Sequence, residues 1–197
     1  MRLLPDGSAT ALAGDARLIR AEVERCRRIL DRMVADSGES TGEAPVPVDA
    51  EALVADVVHE LTPAEAVRVR TAATPLAVHV PRRAVAQAVL NLVRNALDAT
   101  APAGLVTLGV EDTTGGFRLV VRDGGPGMPP DVLARAVEPF FTTKPAGRGL
   151  GLGLFLARAL AEGLGGRLTL DSTPGAGTRA AIEIPRLAGS MVHVPTG

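Results

Sequence analysis

Four short segments carry residue types whose spacing can do chemistry. The first is QAVLNLVRNALDA, where Gln87, Asn91, Asn95 and Asp98 follow at intervals of four, four and three. On a helix these positions form one polar stripe beside the apolar Val85, Val89, Leu92 and Leu97. Asparagine is a poor helix former because its amide competes for the backbone, so two on one face call for a reason. A solvated face would show the same stripe. The chemical alternative is a metal–phosphate site. A neutral amide oxygen suits Mg²⁺, which keeps several waters and takes its other ligands from substrate phosphates.

The second segment is VVRDGGPGMP, where Asp123 closes an apolar strand pattern ahead of Gly124, Gly125, Pro126 and Gly127. It reads as an ordinary turn, or as a place where a flat ring approaches the backbone while the carboxylate accepts an exocyclic amine. The third is EPFFTTKPAGRGLGLGLFLARALAE, in which Gly147, Gly149, Gly151 and Gly153 run directly into a helical pattern. Glycines bend freely, and the N–H groups at a helix start favour anions. The segment lacks the GK[ST] ending of a Walker loop and the GxGxxG spacing of a dinucleotide fingerprint. The fourth, STPGAGTRAAIEIP, is a turn feeding a last strand, with Thr178 at the junction.

The elements that must position these segments are legible from periodicity. A helix is expected over Asp49 to Leu61 with Asp49 as N-cap, and another over Pro81 to Ala99 with proline near its start. Strands are expected at Val67–Thr71, Leu76–Val80, Leu105–Glu111 and Phe117–Val121, the last two joined as a hairpin through Thr113–Gly116. A short helix over Pro130–Val137 and a longer one over Leu152–Gly163 precede a final hairpin, Arg167–Ser172 with Thr178–Pro185. Hairpins mixed with helices predict an α+β fold, a mixed sheet covered on one face by helices. Ahead of this unit, Leu12, Ala16, Ile19, Val23, Cys26, Leu30 and Met33 make an unbroken heptad seam on one helix over 9–36. DSGESTGEAPVP, rich in glycine and proline, links the two. The expected domains are therefore 1–36, a linker 37–47, a main domain 48–187 and a tail 188–197.

Composition narrows the function. The chain has 197 residues and a net charge of −1, so no basic field exists to attract nucleic acid. No stretch approaches the roughly 18 apolar residues of a membrane span, and the opening MRLLPDGSATALAG lacks the apolar region of a signal peptide. The single cysteine, Cys26, excludes an internal disulfide and fits a reducing cytoplasm. The expected location is cytoplasmic, with membrane anchoring of a longer parent protein left open. Cys26 sits on the heptad seam and reads as a small buried hydrophobe, with an intermolecular redox disulfide as the other reading.

In this order the four segments resemble the N, G1, F, G2 and G3 boxes of the sensor histidine kinase catalytic domain, a member of the ATP-binding superfamily of gyrase, Hsp90 and MutL. The resemblance covers about Val46 to Leu187. It implies a two-layer α/β sandwich of the Bergerat type that binds ATP and Mg²⁺. It implies that Asn95 holds Mg²⁺, with Asn91 and Asp98 beside the phosphates and Lys144 joining Asn91 and Asn95 in catalysis. Asp123 would recognise the adenine amine, with Gly125 and Gly127 shaping the pocket and Thr178 supporting it. Phe140, Phe141, Thr142, Thr143 and Lys144 would open a mobile lid. Gly149, Leu150, Gly151, Leu152 and Gly153 would meet the phosphates through their backbone. The heptad helix resembles the second helix of the dimerisation and phosphoacceptor hairpin, more specifically that of the redox-responsive RegB/PrrB group.

The partners so implied are ATP, an acceptor-histidine hairpin of the same kinase, a response regulator in a two-component phosphorelay, and a second copy in a homodimer. His59, in VVHELTP, mimics the acceptor motif HExxTP, but one residue is missing between Leu61 and Thr62 and the histidine follows the heptad helix instead of preceding it. The resemblance thus implies that the acceptor is none of this chain's histidines. Two other readings compete: an ATPase of the gyrase or Hsp90 type, and a serine kinase of the anti-sigma-factor type. In the ATPases a glutamate activates water one helical turn before the metal-binding asparagine. Here that position is Asn91, which cannot serve as a general base. The serine kinases lack a dimerisation hairpin.

Overall fold

The computed structural model describes residues 43–145 and 150–186. The heptad helix with Cys26, the tail from 187 onward, and Gly147 and Gly149 lie outside the described residues. In chain order the elements are β1 (Val46–Asp49), α1 (Ala50–His59), α2 (Pro63–Ala66), β2 (Val69–Ala73), β3 (Ala77–Val80) and α3 (Arg82–Ala99). There follow β4 (Val106–Thr113), β5 (Gly116–Asp123), α4 (Pro130–Arg135), α5 (Gly153–Gly163), β6 (Arg167–Thr173) and β7 (Gly177–Pro185).

Five strands form one sheet in the order β2-β4-β5-β7-β6. The β2–β4 pair is parallel and the other pairs are antiparallel, which makes the sheet mixed as expected. The short β1 pairs antiparallel with β3 as a separate ribbon. Helices α1, α3 and α5 pack on one face of the large sheet. Along α3, Val85, Val89, Leu92, Val93, Ala96 and Leu97 are buried, which is the apolar stripe of a 3.6-residue period. Leu108, Leu119, Val121 and Ile182 meet it from the strands, all nearly inaccessible. Alternate strand residues point the other way and form cross-strand ion pairs there, such as Arg122–Glu111 at 3.0 Å and Arg118–Glu183 at 3.1 Å.

The helix bearing the polar stripe is held at both ends by residues distant in sequence. Its N-cap position is Pro81, which supplies no side-chain cap. The carboxylate of Glu43 takes that role, accepting from the Arg83 N–H at 3.0 Å and the Ala84 N–H at 3.3 Å. At the other end the Arg68 guanidinium donates to the carbonyls of Leu97, Thr100, Ala101 and Gly104 at 3.0–3.3 Å. Orphan groups at the helix ends are thereby satisfied. Asp49 caps α1 through the Glu51 N–H, as its position predicts. Thr62 and Glu65 form a reciprocal capping box on α2.

Candidate nucleotide site

The stripe on α3 faces α5. Asn91 and Asn95 are half-buried at that junction, and Asp98 is exposed one turn further on. A side chain at Gly153, the first residue of α5, would come within 3.3 Å of Asn95 Nδ2 and 3.7 Å of Asn91 Cβ. The start of α5 therefore lies directly against both asparagines. Leu152 precedes it without a side-chain cap, so the first N–H groups of α5 present partial positive charge beside Asn95. Gln87 Nε2 approaches Asn91 Oδ1 at 3.5 Å.

Lys144 reaches back across 46 residues to the same stripe. Its Nζ donates to Asn95 Oδ1 at 3.1 Å and to Asp98 Oδ2 at 2.7 Å. The segment carrying it is pinned on both sides. Thr142 Oγ1 accepts from the Lys144 N–H at 3.1 Å, and Phe140 donates its N–H to the Gly151 carbonyl at 3.0 Å. Phe140 itself takes a left-handed φ of 65°. The Arg135 guanidinium stacks 4.3 Å above the Phe141 ring, a cation–π contact between α4 and this segment. Thr143 is exposed, as is Leu150. Gly151 has φ +68°, and a Cβ there would press to 2.6 Å on the Phe141 carbonyl oxygen, so only glycine fits.

The second group of expected residues sits on three strands and a loop. Asp123, Thr178 and Ser172 lie side by side on β5, β7 and β6, paired in register. Asp123 Oδ1 accepts from the Gly125 N–H at 2.8 Å. A Cβ at Gly125 would come within 2.8 Å of both that oxygen and the Ala99 carbonyl at the end of α3. Gly127 has φ +67°, and a Cβ there would lie 2.0 Å from the Thr173 carbonyl oxygen. Two bonds tie this loop to the β6–β7 turn: the Met128 N–H donates to Ser172 Oγ at 2.9 Å, and the Gly175 N–H to the Pro126 carbonyl at 2.7 Å. Ser172 Oγ also lies 3.0 Å from the Gly177 carbonyl and 2.9 Å from Thr178 Oγ1.

The structure thus gathers the expected residues into two groups joined by α3: Asn91, Asn95, Asp98, Lys144 and the start of α5 at one end, and Asp123, Gly125, Gly127 and Thr178 at the other. Ser172 is a site residue that sequence reasoning missed. Its signal was its place six residues before Thr178 across a tight turn, which puts the two hydroxyls on one row of a hairpin. His59 closes α1 as an exposed last-turn residue, and the threonine that completes its apparent motif is the N-cap of α2.

The oxygen donors are those a hard cation prefers. Asn95 Oδ1 and Asp98 Oδ2 already converge on one positive charge. Among the described residues no group of three or more His, Cys, Asp or Glu could hold a metal ion. A cation at Asn95 would therefore draw most of its ligands from water and phosphate. No described helix is long and apolar enough to cross a membrane.

A mixed sheet layered with helices on one face, and an asparagine-bearing helix packed against a glycine-flanked helix start, are the features of a nucleotide-binding catalytic domain. The chain belongs to the histidine kinase-, DNA gyrase B- and HSP90-like ATPase family, whose model matches residues 81–188. It is 42% identical over 120 residues to the histidine protein kinase DivJ of Caulobacter vibrioides, a match of 59% of this chain and 20% of that protein. It is 45% identical over 102 residues to the C4-dicarboxylate transport sensor protein DctB of Pseudomonas aeruginosa, covering 50% of this chain and 16% of that one. The chain thus spans a fifth or less of these two relatives. Among solved structures, the mycobacterial sensor histidine kinase MprB superposes with a TM-score of 0.62 at 28% identity, over 72% of this chain and 97% of that one. Full-length ShkA in complex with AMPPNP gives 0.63 at 29% identity, over 85% and 38%.

Proposed function

We propose that this chain is the ATP-binding catalytic portion of a two-component sensor histidine kinase. It would transfer the γ-phosphate of ATP to a histidine on a dimerisation hairpin, from which a response regulator would receive it. The observation that carries this reading is the meeting of Asn91, Asn95, Asp98 and Lys144 at the uncapped start of α5. That arrangement suits a phosphate chain, because N–H dipoles and an ammonium neutralise charge while amide oxygens serve the accompanying cation. The relatives named as histidine kinases support the same reading.

Each residue of the site has a role in it. One oxygen of Asp123 is committed to the Gly125 N–H, and the other is the acceptor we assign to the adenine amine. Gly125 and Gly127 let the loop pack against the Ala99 and Thr173 carbonyls, which shapes the wall a ring would meet. Thr178 and Ser172 fix the carboxylate's neighbouring strands. Asn95, with Asp98 next to it, would hold Mg²⁺, which when bound neutralises charge on the phosphates. Asn91 would lie beside the phosphates, and Gly151, Leu152 and Gly153 offer backbone N–H groups, with Gly149 and Leu150 assigned to the same stretch. Thr142 orders the turn that delivers Lys144. The acceptor imidazole nitrogen attacks phosphorus as the bond to the bridging oxygen of ADP breaks, so catalysis by this domain is positioning and charge neutralisation.

Hydrolysis is disfavoured because Asn91 occupies the position from which a carboxylate would activate water, and an amide cannot take a proton. His59, His79 and His193 stand outside any acceptor motif. The test is incubation of the full chain with labelled ATP, with and without an acceptor-histidine hairpin. Acid-labile, base-stable phosphate should appear on the hairpin only, and label on this chain that His59→Ala removes would overturn the assignment. In calorimetry, Asp123→Asn should weaken ATP by about 1.5–3 kcal/mol, the range for a hydrogen bond to a charged group. Equal binding of ATP and GTP by the wild type would refute the role of Asp123. Asn95→Ala should abolish the Mg²⁺-dependent part of nucleotide affinity, and an unchanged Mg²⁺ effect would move the metal elsewhere.

A further inference from the structure

Of the 21 lysine and arginine residues in the chain, Lys144 alone is lysine. Elsewhere arginine serves every basic position, including the surface ion pairs Arg82–Asp56, Arg122–Glu111 and Arg186–Asp112. The two cations differ physically. Guanidinium is a planar fork that suits paired acceptors, whereas ammonium is a compact point charge with three rotatable donors. The single ammonium stands where two oxygens from different residues converge, 3.1 Å from Asn95 Oδ1 and 2.7 Å from Asp98 Oδ2. A small spherical charge held by an amide oxygen and a carboxylate is arranged as a hard metal cation would be.

We propose that Lys144 is a built-in substitute cation. In the nucleotide-free chain its ammonium takes the Asn95 amide oxygen, and Asp98 keeps it there. When a magnesium nucleotide arrives, Lys144 gives up Asn95 and turns to the phosphates. The inference rests on the nucleotide reading of the site. Its physical sense is that Asn95 is satisfied in both states, so the half-buried amide oxygen is never left without a positive partner. The lysine side chain is 32% exposed and that of Asp98 59%. An ion pair so open to water is weak and screened by salt, which makes it displaceable. An arginine here would span the two oxygens with its fork and yield them less readily, while an uncharged residue would leave them empty.

Because Lys144 is the sole lysine, its amine is distinguished from the terminal α-amine by the peptide that carries the label. The full chain, free of nucleotide, is treated with an amine-reactive ester, and modification of the 138–145 region is timed by peptide mass. Asp98→Asn should raise the rate about threefold or more, as should high salt in the wild type. The paired exchange of Asp98→Lys with Lys144→Asp should bring the 138–145 backbone back to the amide hydrogen exchange of the wild type, which Asp98→Asn alone should speed. Nucleotide affinity is then titrated against Mg²⁺. Lys144→Met should lower the Mg²⁺ midpoint about threefold or more while weakening metal-free binding, and Lys144→Arg should raise it. Wild-type labelling in Asp98→Asn overturns the bridge. Faster labelling with an unchanged Mg²⁺ midpoint in Lys144→Met shows a tether that does not substitute for the metal, and overturns the proposal too. Failure of the wild type to bind nucleotide at all overturns the functional reading and the substitution with it, and the labelling experiment, which uses no nucleotide, separates that failure from loss of the bridge.

Discussion

At the strand end of the site, Asp123, Gly125, Gly127 and Ser172 are fixed by strand pairing and by bonds from main-chain N–H groups that join β5, β6 and β7 to one loop. At the helix end, Asn95, Asp98 and Lys144 meet through side chains alone. The first group has its shape set by register and by glycines that no other residue could replace. The second is held by an exposed ion pair that salt can screen. The contrast matches the two halves of the proposed ligand. A rigid aromatic base would be recognised by a surface already in shape, while a flexible, highly charged phosphate chain would arrive with its own cation and require a partner to move aside.

Breaking the strand end should cost the most. Gly127→Val places a β-branched side chain at φ +67° with its Cβ 2.0 Å from the Thr173 carbonyl oxygen. The backbone strain alone is worth about 1–3 kcal/mol, and the clash adds to it. Urea unfolding should show a lower midpoint, and nucleotide affinity should fall with it. A stable Gly127→Val protein that binds ATP normally would mean the loop adapts and the strand end is not preformed. Ser172→Ala is gentler. It removes the acceptor of the Met128 N–H, a half-buried donor, and should cost roughly 1 kcal/mol in unfolding. Its nucleotide affinity should drop without any change in Mg²⁺ dependence, because the helix end is untouched. A shifted Mg²⁺ dependence would show that the two ends are coupled.

Much of this site is legible in the sequence. The α3 stripe was legible because a buried helix enforces its period on the sequence, and the glycines because turns and close approaches admit little else. The strands around Thr113–Gly116 and Thr173–Gly177 were legible from alternation and turn residues. What escaped was contact across long sequence distance. Nothing in Glu43 signals that it caps a helix 40 residues on, and nothing in Arg68 signals the four carbonyls it clamps. Lys144 was expected to face phosphates, but its hold on Asp98 depends on how the chain folds back over α3. Strand β1 went unread as well. VPVD has two prolines' worth of turn character around it, and only its pairing with β3 makes it a strand. Thr62-Pro-Ala-Glu65 is a plain capping box, obscured by the histidine motif it seemed to complete.

The smallest expected effect tests whether an ion pair outside the site behaves as the one inside does. Arg82 grips Asp56 with two bonds, Nε to Oδ2 at 2.6 Å and a terminal nitrogen to Oδ1 at 2.7 Å, tying α1 to the first turn of α3. Like Lys144–Asp98 it is exposed, with Arg82 at 45% and Asp56 at 35%. Unlike that pair it lies apart from the asparagines, so its expected output is stability. The hydrogen bond from Arg82 holds the Asp56 carboxyl below its ordinary value, against a smaller opposing effect of burial. A carboxyl whose pKa is lower in the folded state stabilises the fold above its unfolded value, and that contribution disappears as pH falls through the folded value. The window therefore lies below about pH 4, the ordinary aspartate value. Asp56→Ala should cost about 0.5–1 kcal/mol at pH 7, the range of a well-formed exposed pair, and less than half of that at pH 3. Glu65 is also held low by its bonds from Thr62, so wild type and mutant both lose stability in acid. The difference between them isolates the pair. Urea unfolding at the two pH values measures that difference, and nucleotide titration at pH 7 should give the same affinity for both proteins. An equal cost at both pH values would mean the pair acts through packing of its side chains and not through charge. A loss of nucleotide affinity would mean that strain at the first turn of α3 reaches Asn91 and Asn95, and that the helix end of the site is positioned from outside as firmly as the strand end is from within.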